Sequence, residues 1–477
     1  MAPTITEHAT PIDRRDVVVV GGGIAGLTAA WKLRHRNVLL LEASDRLGGR
    51  MRSEPHGDYW LNYGAHLFPG PGSLVDALAR ELGLPTVPVW GGMMGLAVGR
   101  KRLTSGRVES YPFRLPLSPL DRAAFALQGL KIQRTVRRYQ QVAAARPGEE
   151  ATEARQRVLA FGDERTFGEF LGRMPHAVES IFSTAAHRAT AELHELSEGC
   201  GIGLFALVWG GRKSLIARNL LGGTGRLPAA MGSVLADRAR TGAEVRSIEA
   251  EGDDLVVGFV EHGRARQVQA RHVIVAAPAP IGARLLADLA PEASAALGRM
   301  PYGAFLSVAV ATKEREAMPW DSVYAMATPG RVFDMFTNQG HALRAPGERR
   351  PGGSLMLFAG AHGAAELSGA SDAVIIDRFV RDLGSLYPGS TSVVAEARVH
   401  RWALGNVYSR PGRRRLQTAI EGPLGPARNV HLAGDYFAEL GNLEMAAQTG
   451  AAAAARIDGM LAGQPDANPT RPLEAVS

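Results

Sequence analysis

Cysteine is the scarcest chemistry in this sequence: of 477 residues only Cys200 carries a thiol. That excludes a disulfide within the chain and a cysteine-built metal site, and it suits a reducing cytoplasm. Long apolar runs are missing too. No uncharged stretch reaches the roughly 18 residues that a membrane span needs. The most apolar short run, "CGIGLFALVWGG" at residues 200–211, reads as a buried segment. The opening "MAPTITEHATPIDRR" lacks the apolar centre of a signal peptide and reads as a flexible leader. Charged residues are 21% and hydrophobic residues 45%, the balance of a globular protein and not of a disordered or fibrous one. The net charge of +7 admits an anionic lipid or acidic ligand. No basic block is interleaved with aromatics, however, so no nucleic-acid partner is expected.

What is present begins with "VVVVGGGIAGLTAA" at residues 17–30, where four valines run into three glycines and then into small residues. "NVLLLEAS" follows at residues 37–44. Strand, glycine turn, small-residue helix and second strand make a βαβ unit with a parallel sheet. Gly21, Gly23 and Gly26 fit G-x-G-x-x-G. The first glycine permits the tight turn, the second lets backbone approach a pyrophosphate, and the third lets helix and strand pack closely. Ile24 and Ala25 open the helix, whose N–H groups and positive dipole end face the phosphates. Glu42, followed by Ala43, ends the second strand in the place of a ribose-binding acid. At this point NAD and FAD are both open.

The continuation "EASDRLGGRMRS", with Arg46, Gly48, Gly49 and Arg50, resembles the flavin-dependent amine oxidase superfamily, which includes protoporphyrinogen oxidases and phytoene desaturases. The resemblance implies non-covalent FAD, since Cys200 lies outside every flavin motif, with Gly48, Gly49, Arg50 and Arg46 along its pyrophosphate. "LNYGAHLF" resembles the family's segment beside the flavin ring and places Gly64, Ala65 and His66 there. "GGTGRLPAAM" resembles the glycine-rich re-entry into the FAD domain, and Val245 falls where the family uses backbone against adenine. "VHLAGDYFAELGNLEMAAQTGAAAAARI" resembles the carboxy-terminal flavin motif, its "AGDY" nearest the desaturase branch. Gly434 and Asp435 would then approach the ribityl and phosphate part, and Leu443, Glu444, Met445 and Ala446 would begin a helix under the pyrimidine end. The implied fold is α/β. A Rossmann-like FAD-binding domain (12–72, 220–290, 420–462) is interleaved with a mixed α+β substrate domain (73–219, 291–419), ahead of a flexible tail, 463–477.

The expected activity is hydride transfer from a small, largely apolar substrate to flavin N5, with oxygen or a quinone as acceptor. Amine oxidases of the family carry a lysine in the strand corresponding to "YGAFLSVAVA", residues 302–311, and an aromatic where Asn442 stands. Neither is here, which leans the reading toward C–C desaturation. Amine oxidation is the alternative, and a redox-neutral isomerase or mutase is a further one, for which "GRVESYPFRLPL" is a short likeness. His66, Trp402, Tyr408 and Asn442 are pocket candidates; no residue is assigned to catalysis, and no metal is expected. Lys131, Arg134, Arg137 and Arg138 share a helical face, which reads as solvated or, in a desaturase-like enzyme, as resting peripherally on anionic lipid. Oligomeric state has no sequence signal.

Overall fold

The computed structural model describes residues 13–90, 94–206, 215–343, 350–421, 424 and 429–463. Residues 1–12 of the expected leader, 207–211 of the apolar run and 464–477 of the tail lie outside them. The leader ends sooner than its polarity suggests, because the first strand, Asp13–Val20, already includes residues 13–15. Those residues pair with Val268, Gln269 and Ala270, and Arg15 is pinned to the Asn37 side chain at 3.0 Å. Polarity marked an exposed strand end, not the absence of a strand.

Two sheets organise the chain. In the first, Asp13–Val20 runs parallel between Val38–Leu41 and Arg264–Val275. Val17, Val18, Val19 and Val20 are buried on both faces, as expected for β-branched residues in a parallel sheet covered on either side. The strands Ala243–Glu251, Asp254–Glu261 and Arg264–Val275 form an antiparallel meander. Residues 273–275 then take Val430–Leu432 as a parallel neighbour. Three stretches far apart in sequence thus share one sheet. The helix Ile24–Lys32 and the closing helix Leu443–Ala462 cover it and pack on each other so closely that a Cβ on Gly450 would lie 2.0 Å from the Ala25 carbonyl oxygen.

The second sheet has the order Val394–Val407, Tyr302–Thr312, Gly353–Gly360, Met335–Asn338, Ala325–Ala327, Met94–Val98, Lys101–Leu103. Alternation splits its residues between two faces. Leu355, Leu357 and Ala359 join Phe333, Phe336 and Phe379 in a core beneath the helix Asp372–Leu386. Met356 and Phe358 point the other way, with Met335 and Phe305. The helices Pro119–Ala143, His176–His187 and Glu198–Ala206 close this side and interlock through Phe125, Phe182 and Phe205. Among the described residues no helix is long and apolar enough to cross a membrane.

Candidate active site

Between the two sheets lies a cavity of ≈ 1650 Å³. Ordinary small-molecule sites span about 300–1,000 Å³, so there is room for two ligands end to end. One end of the wall is bare backbone and the other is aromatic.

The backbone end is built by the glycine turn. Gly21 has φ +104, and a Cβ there would meet the Ala276 carbonyl oxygen at 2.9 Å, so only glycine serves. Gly26 does not line the cavity. It is the close-packing glycine, where a Cβ would sit 1.9 Å from the Gly21 carbonyl oxygen. Gly23 is different in kind. Its φ of −71 suits any residue, and beyond its chain neighbours a Cβ there would have no atom of the described residues within 4 Å. Neither strain nor packing calls for glycine at Gly23; the space its missing side chain leaves belongs to the cavity.

The second glycine pair is laid against the first, through a bridge between Gly23 and Gly48 and a 2.7 Å bond from the Gly48 N–H to the Gly22 carbonyl. Arg46 braces that loop, donating to the carbonyls of Gly49 at 2.6 Å and Leu47 at 3.2 Å. Glu42 accepts from the Gly22 N–H at 2.6 Å and from the Ser44 N–H and hydroxyl at 2.8 and 2.6 Å. It lines the cavity and at the same time ties the turn to the second strand. Val245, also in the wall, sits at a bulge where the strand register shifts, which loosens backbone pairing there.

Further along, Arg50 donates to Asp435 at 2.7 Å. Burial alone would lower the Arg50 pKa, but the Asp435 carboxylate more than offsets it and the value is raised. Gly64 is forced by proximity: a Cβ would lie 2.1 Å from the Arg50 carbonyl oxygen and 3.2 Å from the Trp402 ring. The Trp402 indole N–H donates to the Tyr63 carbonyl at 2.8 Å, fixing the ring in the wall. His66 is held 2.8 Å from the Gly64 carbonyl through Nδ1. The Asn62 side-chain amide lies 3.0 Å from the same Nδ1, and Nε2 is buried with no partner among the described residues. Burial pushes His66 down to about 4, against the opposing bond to Gly64, and keeps the ring neutral.

Most sequence-predicted residues therefore meet in one wall: Gly21, Gly23, Ile24, Ala25, Glu42, Ala43, Arg46, Gly48, Gly49, Arg50, Gly64, Ala65, His66, Val245, Trp402, Gly434, Asp435, Asn442, Leu443 and Ala446. Three expected there besides Gly26 are elsewhere. Glu444 caps the helix Leu74–Glu81, accepting from the Leu74 and Val75 N–H groups at 2.7 and 3.1 Å. Met445 packs into the core of the first sheet, because alternate positions of a helix start face opposite ways. Tyr408 points into the helical core, its hydroxyl 3.1 Å from Glu195. Asn442 is both a wall residue and the N-cap of the closing helix, its Oδ1 accepting from the Met445 N–H at 2.9 Å. Lys131 does not belong to a free basic face: its ammonium bonds the Phe170 carbonyl and covers the Phe170 ring at 4.5 Å.

The aromatic end escaped sequence reasoning. Phe125, Phe182, Phe205, Phe305, Tyr324 and Phe358 come from six separate elements or loops and carry no shared motif. Phe305 and Phe358 lie with ring centroids 4.9 Å apart. The only available signal was alternation in residues 353–360, which cannot say which face is lined.

The sequence profile of the family described as flavin containing amine oxidoreductase matches residues 24–458. Flavin-containing amine oxidase A of Equus caballus is 28% identical over 320 residues, covering 63% of this chain and 56% of the relative. Flavin-containing amine oxidase B of Sus scrofa is 28% identical over 320 residues, with 63% and 57% covered. The chain thus spans a little over half the length of the curated relatives it matches. Among solved structures, cyclohexylamine oxidase from Brevibacterium oxydans superposes with TM-score 0.74 at 19% identity over 94% of this chain and 100% of that one. Putrescine oxidase bound to putrescine gives 0.73 at 19% identity, over 94% and 99%.

Proposed function

The chain belongs to the flavin-containing amine oxidoreductase family, and on that premise we propose that it is an FAD-dependent oxidoreductase that dehydrogenates a largely apolar organic substrate. We read C–C rather than C–N oxidation as its bond chemistry. Gly23 supports the cofactor most directly, because a position that protein packing leaves free has nonetheless no side chain. The Gly21–Ala25 backbone, Arg46, Gly48 and Gly49 would hold the pyrophosphate. Glu42 with Ala43 would meet the ribose, Val245 the adenine, Arg50, Gly434 and Asp435 the ribityl part, and Gly64, Ala65, His66, Leu443 and Ala446 the ring end. Glu444 and Met445 are left out of that set. The FAD portion would comprise 12–72, 220–290 and 420–462, with the substrate portion in 73–219 and 291–419. Cys200 is buried and absent from the cavity wall, and burial pushes its thiol pKa up, which supports a flavin held without a thioether bond.

When bound, the flavin supplies hydride acceptance, and oxygen or a quinone reoxidises it. The chain's own part is to orient the substrate, exclude water and fix charge. Helix Leu443–Ala462 presents its N-terminus to the cavity, which favours negative charge there. His66 stays neutral. The observation behind the C–C preference is the wall itself. Among its described residues there is no lysine, and each carboxylate is already bonded: Glu42 to the turn, Asp435 to Arg50, Glu109 to Gln133 and Glu244 to Arg246. Amine oxidation is the second reading, favoured by the names of the relatives. Anaerobic mixing of the yellow protein with a polyene and, separately, with benzylamine distinguishes them. Bleaching of the flavin absorption by the polyene alone supports C–C oxidation, and bleaching by the amine alone replaces it with the second reading.

The substrate's route is proposed to pass along a lipid surface. Phe113, Leu120, Leu127 and Leu130 are 50–72% exposed, and Phe113 and Leu130 also line the cavity. Arg134, Arg137 and Arg138 stand exposed on the helix that carries the three leucines. Flotation with vesicles of mixed anionic and neutral lipid tests this contact, and a chain that stays in the dense fraction contradicts it.

A further inference from the structure

Among the described residues, the cavity wall holds one half-buried cation, Arg188, that no described group pairs. Arg188 follows the helix His176–His187 and lines the cavity beside Ala185 and Thr190. Among the described residues its guanidinium has no hydrogen bond and no carboxylate, and burial lowers its pKa with nothing opposing. The other wall arginines differ. Arg46 braces carbonyls, Arg50 pairs with Asp435, Arg107 with Glu109, Arg246 with Glu244 and Arg401 with Asp372, while Arg284 is exposed to water. A buried charge without a partner is costly, so a partner supplied from outside the chain is the economical account.

The backbone around Arg188 is held firmly. His187 lies between two carboxylates, 2.6 Å from Asp334 and 3.1 Å from Glu192, and Glu192 also bonds His362. Thr190 takes the left-handed φ of +63, and Gly303 approaches it so closely that a Cβ would lie 1.7 Å from the Thr190 carbonyl oxygen. Strain of this kind persists only where the surroundings impose it, and it concentrates at functional sites. The clamp fixes the chain on both sides of Arg188.

We propose that Arg188 receives an anionic group of the substrate, a carboxylate on an otherwise apolar molecule. The proposal deepens the reading above and rests on it for the assignment of this end of the cavity to substrate. A guanidinium and a carboxylate form two parallel charge-assisted bonds, and Phe182, Phe205, Phe305 and Phe358, in the same cavity wall, would take the apolar body. A simple ammonium substrate would meet repulsion here.

The test titrates the purified holoenzyme with phenylacetate, phenylacetamide and benzylamine by calorimetry, in parallel with the flavin absorption. Phenylacetate should bind at least about tenfold more tightly than the amide or the amine. Arg188→Gln should erase that preference and Arg188→Lys should keep part of it. The ligand-free Arg188→Gln protein should melt at the wild-type temperature or above, since it loses an unpaired charge. Equal phenylacetate binding by wild type and Arg188→Gln, a preference for benzylamine, or a lower melting temperature in Arg188→Gln would each overturn the proposal. A colourless protein that still selects phenylacetate would instead sink the flavin reading and leave the anion site standing.

Discussion

The two ends of the cavity are made in opposite ways. At one end the chain withdraws its side chains: Gly21, Gly23, Gly48 and Gly49 present backbone, and what side chains there are, Glu42 and Arg46, spend their bonds holding the loops in place. At the other end side chains do the lining, from Phe125 and Phe182 on helices to Phe305 and Phe358 on strands. A phosphate met by backbone N–H groups at short range needs short runs of consecutive residues to present them. An apolar body can be enclosed by any surface of the right shape, so its site can be assembled from anywhere.

The glycines give the sharpest way to break that contrast, since two of them three positions apart should fail differently. Gly26→Val places a side chain into the Gly21 carbonyl and should cost more than about 4 kcal/mol, enough to remove folded protein altogether. Gly23→Val meets, beyond its chain neighbours, no atom of the described residues at Cβ and should fold, with an unchanged circular dichroism spectrum and little or no bound flavin. If both variants lost the fold, or if Gly23→Val stayed fully yellow, the division between packing glycine and cofactor glycine would be wrong.

A smaller effect is expected where the two ends meet. Arg50→Leu leaves Asp435, 7% exposed in its side chain, without its partner and should cost about 3 kcal/mol in denaturant unfolding, with cofactor content falling as well. His66 gives a pH test of comparable size. Its value is about 4 in the folded chain against an ordinary 6.5, so the unfolded chain binds the extra proton first. Stability is therefore complete above pH 6.5 and declines as pH falls toward 4, by roughly 3 kcal/mol in full. His66→Gln should flatten that part of the stability curve, and a variant whose curve matches wild type would show that the ring is not held neutral. At the aromatic end, Phe358→Ala should keep the flavin and weaken substrate binding by about tenfold, equivalent to ~1.4 kcal/mol. Loss of flavin there would mean that the two ends are not separate sites.

This difference also explains what sequence reading reached. Most residues named in the βαβ unit, the GGR loop and the "AGDY" segment share one cavity wall, and that was legible because each segment is a run of neighbours. Where the reading named a whole run, it overshot. Glu444 and Met445 stand beside cavity residues in sequence, but the helix turns them toward Leu74 and the first sheet's core. Tyr408 failed for the strand equivalent of the same reason, since Val394–Val407 ends before it and the chain turns its ring into the helical core. Arg188 had no signal at all. An arginine at a helix end looks solvated until a fold is seen to bury it.

The central claim is that the bare-backbone end accepts FAD. Its most direct measurement is the nucleotide released when the purified protein is denatured, separated from the polypeptide and identified chromatographically. About one FAD per chain, freed without proteolysis, is the predicted result. Protein that releases no flavin, or that releases a nicotinamide nucleotide in its place, would contradict the account.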